Sequence, residues 1–271
     1  MTRCTTTAPL PSPLSVRLLT LNRPDKLNAF SPHMLAAFDV ALDDALADAA
    51  TRVVVITGSG NRAFAAGNDV EGLAGLDSIG AYRAMATGQK VFMKLHELAK
   101  PTIAMVNGYA LGGGFELALA CDFIIAADNA RFGFPEITLN TLPGWGGTQF
   151  AVARMGIARA KQMVLTGRHF SADECLAFGI VERIVGLQSL LDTVLEFAST
   201  LAAHDGFALE MAKRSLNRAA ELPLGAGLDF EAAHYAVNFS GAAARTGLDA
   251  FIERRAARQA GVAPSTLHTQ S

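Results

Sequence analysis

Residues 107–122 carry the most structural information in the chain and read Asn107-Gly-Tyr-Ala-Leu-Gly-Gly-Gly-Phe-Glu-Leu-Ala-Leu-Ala-Cys-Asp122. An apolar strand ends near Val106, three glycines follow at 112–114, and an apolar helix begins at once. The free N–H groups and positive dipole end of such a helix attract negative charge, and glycines let a ligand approach the backbone. The pattern predicts a binding loop, although a tight turn before a packed helix would produce the same sequence.

A second segment of similar design lies upstream. Arg62-Ala-Phe-Ala-Ala-Gly-Asn-Asp-Val70 follows the apolar run Val53–Gly58 and again places a glycine where the chain turns. Two loops that leave a parallel sheet at its carboxyl end can each aim one N–H at a single oxygen. The pair therefore predicts an oxyanion hole.

Two glutamates accompany these loops. Glu116 falls in the first turn of the helix behind the glycines, and Glu136 lies in the apolar segment Phe132-Gly-Phe-Pro-Glu-Ile137. Alone, Glu116 could complement the helix dipole and Glu136 could be an exposed residue at a strand end. Together they are typical of general acid and base catalysis, because an apolar site separates the pKa values of two carboxyls. A further glycine-rich turn, Leu142-Pro-Gly-Trp-Gly-Gly-Thr-Gln149, could donate the Gly144 N–H to the same site.

The rest of the chain indicates an α/β protein. Strand-like runs at 16–22, 53–58, 102–108 and 123–128 are separated in part by long helical patterns, and the continuous apolar runs are typical of buried parallel strands. Ser31-Pro32 predicts the start of the first helix, with Leu35, Phe38, Leu42 and Leu46 inward and Asp39, Asp43, Asp44 and Asp48 on a solvated face. We predict a disordered or loosely ordered leader at 1–15, a core at 16–195 and a helical region at 196–271.

Composition excludes several classes of protein. The 271 residues are 51% hydrophobic and 18% charged, with a formal net charge of −2, which argues against disorder and against electrostatic binding of nucleic acid or an anionic membrane. Three cysteines without metal or redox spacing, and the lack of a long apolar run, favour a cytoplasmic protein. The apolar surplus hints at buried subunit interfaces.

Taken together, the motifs resemble the crotonase superfamily and, within it, the enoyl-CoA hydratases. The matching segments keep their order from about residue 16 to 258, and they are 21–29, 63–69, 107–122, 135–136 with 143–149, and 177–185. The resemblance implies a spiral of repeated ββα units with a C-terminal helical region that forms trimers, often paired into hexamers. It also implies an acyl-CoA thioester as substrate and no metal or other cofactor.

The resemblance assigns roles to individual residues. The N–H groups of Asn68 and Gly113 would hold the thioester oxygen, Glu116 and Glu136 would activate a water that adds across the 2,3 double bond, and the Gly144 N–H would help to position that water. The implied substrate-binding residues are Lys26, Ala29, Arg62, Ala66, Trp145, Phe251 and Arg254, the last two reaching the CoA nucleotide of a neighbouring subunit.

Three positions depart from the commonest hydratase pattern. Asn68 and Trp145 replace small residues, and Glu71 stands where a lysine often helps to bind CoA. The indole of Trp145 either packs a loop under a helix or lines the acyl pocket. Met85, Phe92 and Met93 are further candidates for an acyl wall, with a place in the core as the simpler interpretation.

The sequence leaves other functions open. An isomerase, dehydratase, acyl-CoA hydrolase or decarboxylase of the same superfamily could use the same oxyanion hole. A non-catalytic CoA-binding or RNA-binding relative is disfavoured by the net charge of −2 and by the two intact glutamates.

Overall fold

The computed structural model describes residues 3–6 and 15–259. Contacts within the chain divide it after His204 into two compact units, nine residues beyond the boundary that we predicted. Most of the predicted leader lies outside the described residues, and Arg3–Thr6 form a strand.

The first unit is built on a six-stranded sheet. Its strands, in spatial order, are β1 (Arg3–Thr6), β2 (Val16–Asn22), β3 (Val53–Gly58), β5 (Thr102–Val106), β7 (Phe123–Ala127) and β10 (Arg183–Val185). All neighbouring pairs are parallel except β1 with β2. Every residue of β3 and β5 is buried, as their continuous apolar sequence predicts.

A second, smaller sheet collects the short strands that follow the long ones. Its order is β4 (Ala63–Ala65), β6 (Tyr109–Leu111), β8 (Arg131–Gly133) and β9 (Phe170–Ser171). Each of β4, β6 and β8 comes directly after a strand of the large sheet, so the chain repeats a unit of two strands and a connection, which is the predicted ββα spiral. The carboxyl ends of β3, β5 and β7 therefore feed three consecutive loops into one region.

Helices cover both faces of the large sheet. In the first unit they are α1 (Pro32–Ala47), α2 (Ser78–His96), α3 (Gly113–Ala120), α4 (Gly147–Met155), α5 (Ile157–Thr166), α6 (Ala172–Ala177) and α7 (Leu190–Ala202). Leu190, Val194 and Ala198 of α7 pack on one face, and α1, α2 and α3 supply the core on the other. None of the described helices is long and apolar enough to cross a membrane.

Helix α1 begins where the sequence predicts, with the Met34 N–H donating to the Ser31 hydroxyl at 3.2 Å. One expectation for this helix was wrong. Leu46 is 46% exposed, and Ala45 takes the inward position. The acidic face is partly paired, because Lys94 of α2 bridges Asp39 and Asp43, and Arg17 binds Asp48 at 2.9 Å.

The second unit consists of α8 (Gly206–Arg218), α9 (Leu224–Asn238) and α10 (Ala242–Gln259). None of the residues in these three helices is buried. Large apolar side chains are more than half exposed on them, namely Leu216, Leu224, Leu228, Tyr235, Phe251 and Ile252.

Candidate active site

Helix α3 begins within the glycine run 112–114, which lies at the centre of the site. Gly112 has φ +51°, a left-handed conformation that favours glycine, and a β-carbon there would lie 2.7 Å from Glu136 Oε1. A β-carbon on Gly114 would lie 2.0 Å from the carbonyl oxygen of Ala65, so β4 can approach α3 only over a bare backbone. The glycines thus serve packing, as the simpler interpretation held, and they also bring a carboxylate and a second loop against the helix start.

The predicted oxyanion donors, Asn68 and Gly113, lie beside each other. A β-carbon on Gly113 would lie 3.5 Å from the Asn68 nitrogen. Phe30 bonds to the residues on either side of Asn68, donating to the Gly67 carbonyl at 2.8 Å and accepting from the Asp69 N–H at 2.9 Å. The Asn68 N–H consequently faces away from Phe30, and the Gly113 N–H belongs to the first turn of α3, where no intrahelical acceptor exists.

An ion pair that the sequence did not predict holds the loop that carries Asn68. The Arg23 guanidinium binds Asp69 Oδ2 at 2.7 Å and the Ala29 carbonyl oxygen at 3.2 Å. Its hydrogen bond to Asp69 lowers the pKa of that carboxyl. The only sequence signal was the position of both residues inside motif segments, next to residues with assigned roles.

Glu116 is almost completely buried, and loop 145–147 holds its carboxylate. The N–H groups of Trp145 and Gly147 donate to Oε1 at 2.8 and 2.7 Å. Burial, assisted by the negative charge of Glu136, raises the pKa of Glu116 to about 7, against the lowering effect of the two hydrogen bonds. The third glycine-rich turn does reach the site, but the N–H groups that bind Glu116 come from Trp145 and Gly147. The carbonyl oxygen of Gly144 accepts from Gln89 Nε2 at 2.8 Å, and the role of its N–H in positioning a water stays a prediction.

Glu136 faces Glu116 from a 3-10 turn, Pro135–Leu139. Its carboxylate lies over Gly112, and Oε2 is buried without a hydrogen-bond partner among the described residues. Burial raises the pKa of Glu136 to about 7 as well. Two carboxyls with such values next to the N–H groups of Asn68 and Gly113 can exchange a proton with a polarised substrate near neutral pH.

Trp145, the single tryptophan, is 4% exposed and packs edge-to-face against Phe30 and Phe92. Its Nε1 has no hydrogen-bond partner among the described residues. A buried donor without an acceptor costs about 1–3 kcal/mol. Phe92 is fully buried, as its core interpretation expects, whereas Met93 is 37% exposed.

The residues expected to bind CoA are less closely grouped. Lys26 forms an exposed ion pair with Glu71 at 3.3 Å, Ala66 donates its N–H to the Leu27 carbonyl at 2.9 Å, and Arg62 lines a surface cleft of about 100 Å³. Phe251 and Arg254 lie exposed on α10 in the second unit. No group of three or more His, Cys, Asp or Glu side chains that could hold a metal occurs among residues 15–259.

Comparison with known proteins gives one consistent answer. The family model described as "Enoyl-CoA hydratase/isomerase" matches residues 12–260. The short-chain-enoyl-CoA hydratase of Clostridium acetobutylicum is 37% identical over 240 residues, covering 89% of this chain and 92% of the relative. A probable enoyl-CoA hydratase of Rhizobium meliloti is 42% identical over 242 residues, covering 89% and 93%.

Solved structures agree with the sequence relatives. The crystal structure of enoyl-CoA hydratase from Bacillus anthracis superimposes with a TM-score of 0.86 at 35% identity, covering 92% of this chain and 96% of that one. The expected crotonase-like fold is therefore confirmed.

Proposed function

Because the chain belongs to the enoyl-CoA hydratase/isomerase family and is a hydro-lyase of that kind, we propose that it adds water across the 2,3 double bond of a 2-enoyl-CoA thioester at the site formed by α3 and its neighbouring loops. The observation that carries this proposal is the pairing of the buried Glu116 with the partly buried Glu136, two carboxyls with pKa values near 7, beside the N–H groups of Asn68 and Gly113. No cofactor is needed besides the CoA of the substrate.

The backbone donors polarise the thioester. With its carbonyl oxygen between the Asn68 and Gly113 N–H groups, negative charge that develops on this oxygen during attack at C3 is stabilised, and one such donor contributes about 2.7–4 kcal/mol to lowering the barrier. Because the donors belong to the backbone, the unusual Asn68 side chain leaves this role intact.

The two glutamates divide the proton transfers. Glu116 accepts two backbone hydrogen bonds, which stabilise its ionised form, so it takes a proton from the water whose oxygen bonds to C3. Glu136 Oε2 receives no hydrogen bond, which favours the protonated form, so Glu136 gives its proton to C2. The double bond is lost, one C–O and one C–H bond form, and the Gly144 N–H helps to position the water.

The CoA part would lie along the loops that carry Lys26, Ala29, Arg62 and Ala66, with Phe251 and Arg254 reaching it from a neighbouring subunit of a trimer or dimer of trimers. These contacts, and a cytoplasmic location, are part of the proposal. The exposed apolar side chains of α8, α9 and α10 support the oligomer, since such surface is normally covered in an assembly.

The test is an assay of the purified chain with short 2-enoyl-CoA thioesters, following loss of the conjugated enoyl absorbance and identifying the product. We expect a 3-hydroxyacyl-CoA. Glu116→Gln and Glu136→Gln should each lower kcat by at least about 100-fold. Glu174→Gln, a substitution at the start of α6, is the matched control and should keep the wild-type rate. A product other than the hydrated thioester, or a wild-type rate in Glu136→Gln, would contradict the proposal.

A further inference from the structure

The indole of Trp145 spans the gap between α2 and the start of α3. A β-carbon on Gly88 would lie 2.2 Å from Nε1 and 2.4 Å from Cδ1, so the five-membered ring lies against that glycine. A β-carbon on Gly113 would lie 3.0 Å from Cε3 and 3.2 Å from Cζ3, so the six-membered ring borders the oxyanion donor. At its backbone, the same residue donates to Glu116 at 2.8 Å.

The ring has no room to withdraw from the site. The rings of Phe30 and Phe92, both fully buried, meet it edge-to-face with centroids 5.6 and 5.3 Å away. The bare backbone of Gly88 closes the remaining side. Since protein cores are close-packed, the indole keeps its position unless one of these neighbours is made smaller.

We infer that Trp145 sets the upper limit on acyl length, so that the substrate is a short 2-enoyl-CoA of about four carbons. This inference rests on the proposed function. A thioester whose oxygen is held by Asn68 and Gly113 and whose C2 and C3 lie between the two glutamates extends past the carboxylates from C4 onward. The indole borders Gly113, and the backbone of the same residue binds Glu116. On this inference a terminal methyl group fits, and a longer tail meets the ring.

Gly88 also fixes the position of the Trp145 indole. A methyl group on Gly88 has no space unless the indole moves, and the Phe30 and Phe92 rings block movement into the core. The Gly88→Ala change therefore pushes the indole toward Gly113, into the place that the substrate would take.

The experiment measures kcat/KM for four-, six-, eight- and ten-carbon 2-enoyl-CoA thioesters. In the wild type we expect a fall of at least roughly tenfold from four to eight carbons, since a pocket rejects groups that it cannot accommodate by about 10–200-fold. Trp145→Leu should raise the ratio of the eight-carbon to the four-carbon value by at least about tenfold. Phe38→Val, which removes roughly similar volume from the core one ring further away, should leave that ratio unchanged.

The Gly88→Ala variant tests the inference in a second, independent way. It should lower kcat/KM for the four-carbon substrate at least about tenfold, and the added Trp145→Leu change should restore much of the loss, because the smaller side chain relieves the overlap. Equal wild-type kcat/KM across the series, or an unchanged ratio in folded Trp145→Leu, would overturn the inference alone. If Trp145→Leu does not fold, the wild-type series and Gly88→Ala decide. Absence of hydration at every chain length would instead refute the proposed function.

Discussion

Glu116 and Glu136 have opposite consequences for catalysis and for stability. Each has a pKa of about 7 in the folded chain against an ordinary value of 4.5, so between these values the native state binds more protons than the unfolded chain. The two glutamates therefore contribute stability that is fully present below pH 4.5 and is lost as the pH rises through 7. Such a cost is typical of a site arranged for proton transfer.

The Glu116→Gln variant tests how much folding stability is lost when Glu116 ionises. The amide keeps an oxygen for the Trp145 and Gly147 N–H groups but carries no charge, so the variant should be more stable than the wild type at pH 8, by up to ~3 kcal/mol at 1.36 kcal/mol per pKa unit. At pH 4 the two proteins should unfold at similar denaturant concentrations. Chemical unfolding at both pH values measures the difference.

Glu174→Gln is the control for the pH experiment, because the neighbouring Arg168 lowers the pKa of Glu174. Removing that carboxylate should cost stability at pH 8 and not raise it. A Glu116→Gln variant that behaves in the same way as Glu174→Gln would show that Glu116 is ionised at little cost in the fold.

Glu71 provides a second prediction at the residue scale. Its exposed ion pair with Lys26 holds a cation that would otherwise be available to a CoA phosphate. Glu71→Gln should therefore lower KM for the acyl-CoA by about two- to fivefold at low salt, an amount typical of a surface ion pair, and leave kcat unchanged. The effect should fade at high salt, and it should be absent when Lys26 is also replaced by Gln.

At the scale of elements, the loops after β2 and β4 depend on each other. Arg23, Asp69 and the carbonyl of Ala29 join them, and Phe30 adds backbone bonds on both sides of Asn68. The direction of the Asn68 N–H thus depends on a loop that lies about 40 residues earlier in the chain.

Asp69→Asn should lower kcat by about tenfold with a smaller change in KM, because a displaced N–H weakens a bond that strengthens in the transition state. Arg23→Gln should do the same, and the double variant should be no worse than either single one. Steady-state kinetics of the three variants measure the coupling. Additive losses in kcat would show that Arg23 and Asp69 act separately from each other.

At the scale of the whole molecule, the second unit exposes a set of large apolar side chains. The three helices of the second unit have no buried residues, and they expose leucine, tyrosine, phenylalanine and isoleucine side chains. An isolated chain would leave this surface in water.

We expect light scattering in solution to give a mass three or six times that of one chain. Leu224→Glu, at a side chain that is 79% exposed, and Tyr235→Glu should shift the distribution toward smaller species, because each places a charge on the apolar surface. Tyr82→Glu, at an exposed side chain of α2, is the matched control and should leave the mass unchanged. A monomer in the wild type would contradict the predicted oligomer.

Much of this architecture is local information and could be predicted from the residues. Continuous apolar runs predict β3 and β5, Ser31-Pro32 predicts the start of α1, and the glycines at 112–114 predict the loop at α3. The fold and the family followed from those motifs in their order. Leu46 was misassigned because one helical turn offers two adjacent inward positions, and only the packing of neighbouring elements selects between them.

Contacts between distant segments were decided by tertiary structure alone. The residues whose N–H groups bind Glu116, the ion pair between Arg23 and Asp69, and the position of the Trp145 indole between Gly88 and Gly113 each join segments that are far apart in the chain. Periodicity and spacing predict which residues of a segment face the solvent and which face the core. Contacts between distant segments depend on where those segments lie in the folded chain. The sequence by itself therefore determined the fold and the candidate chemistry, and the shape of the proposed acyl site came from the packing of α2 against α3.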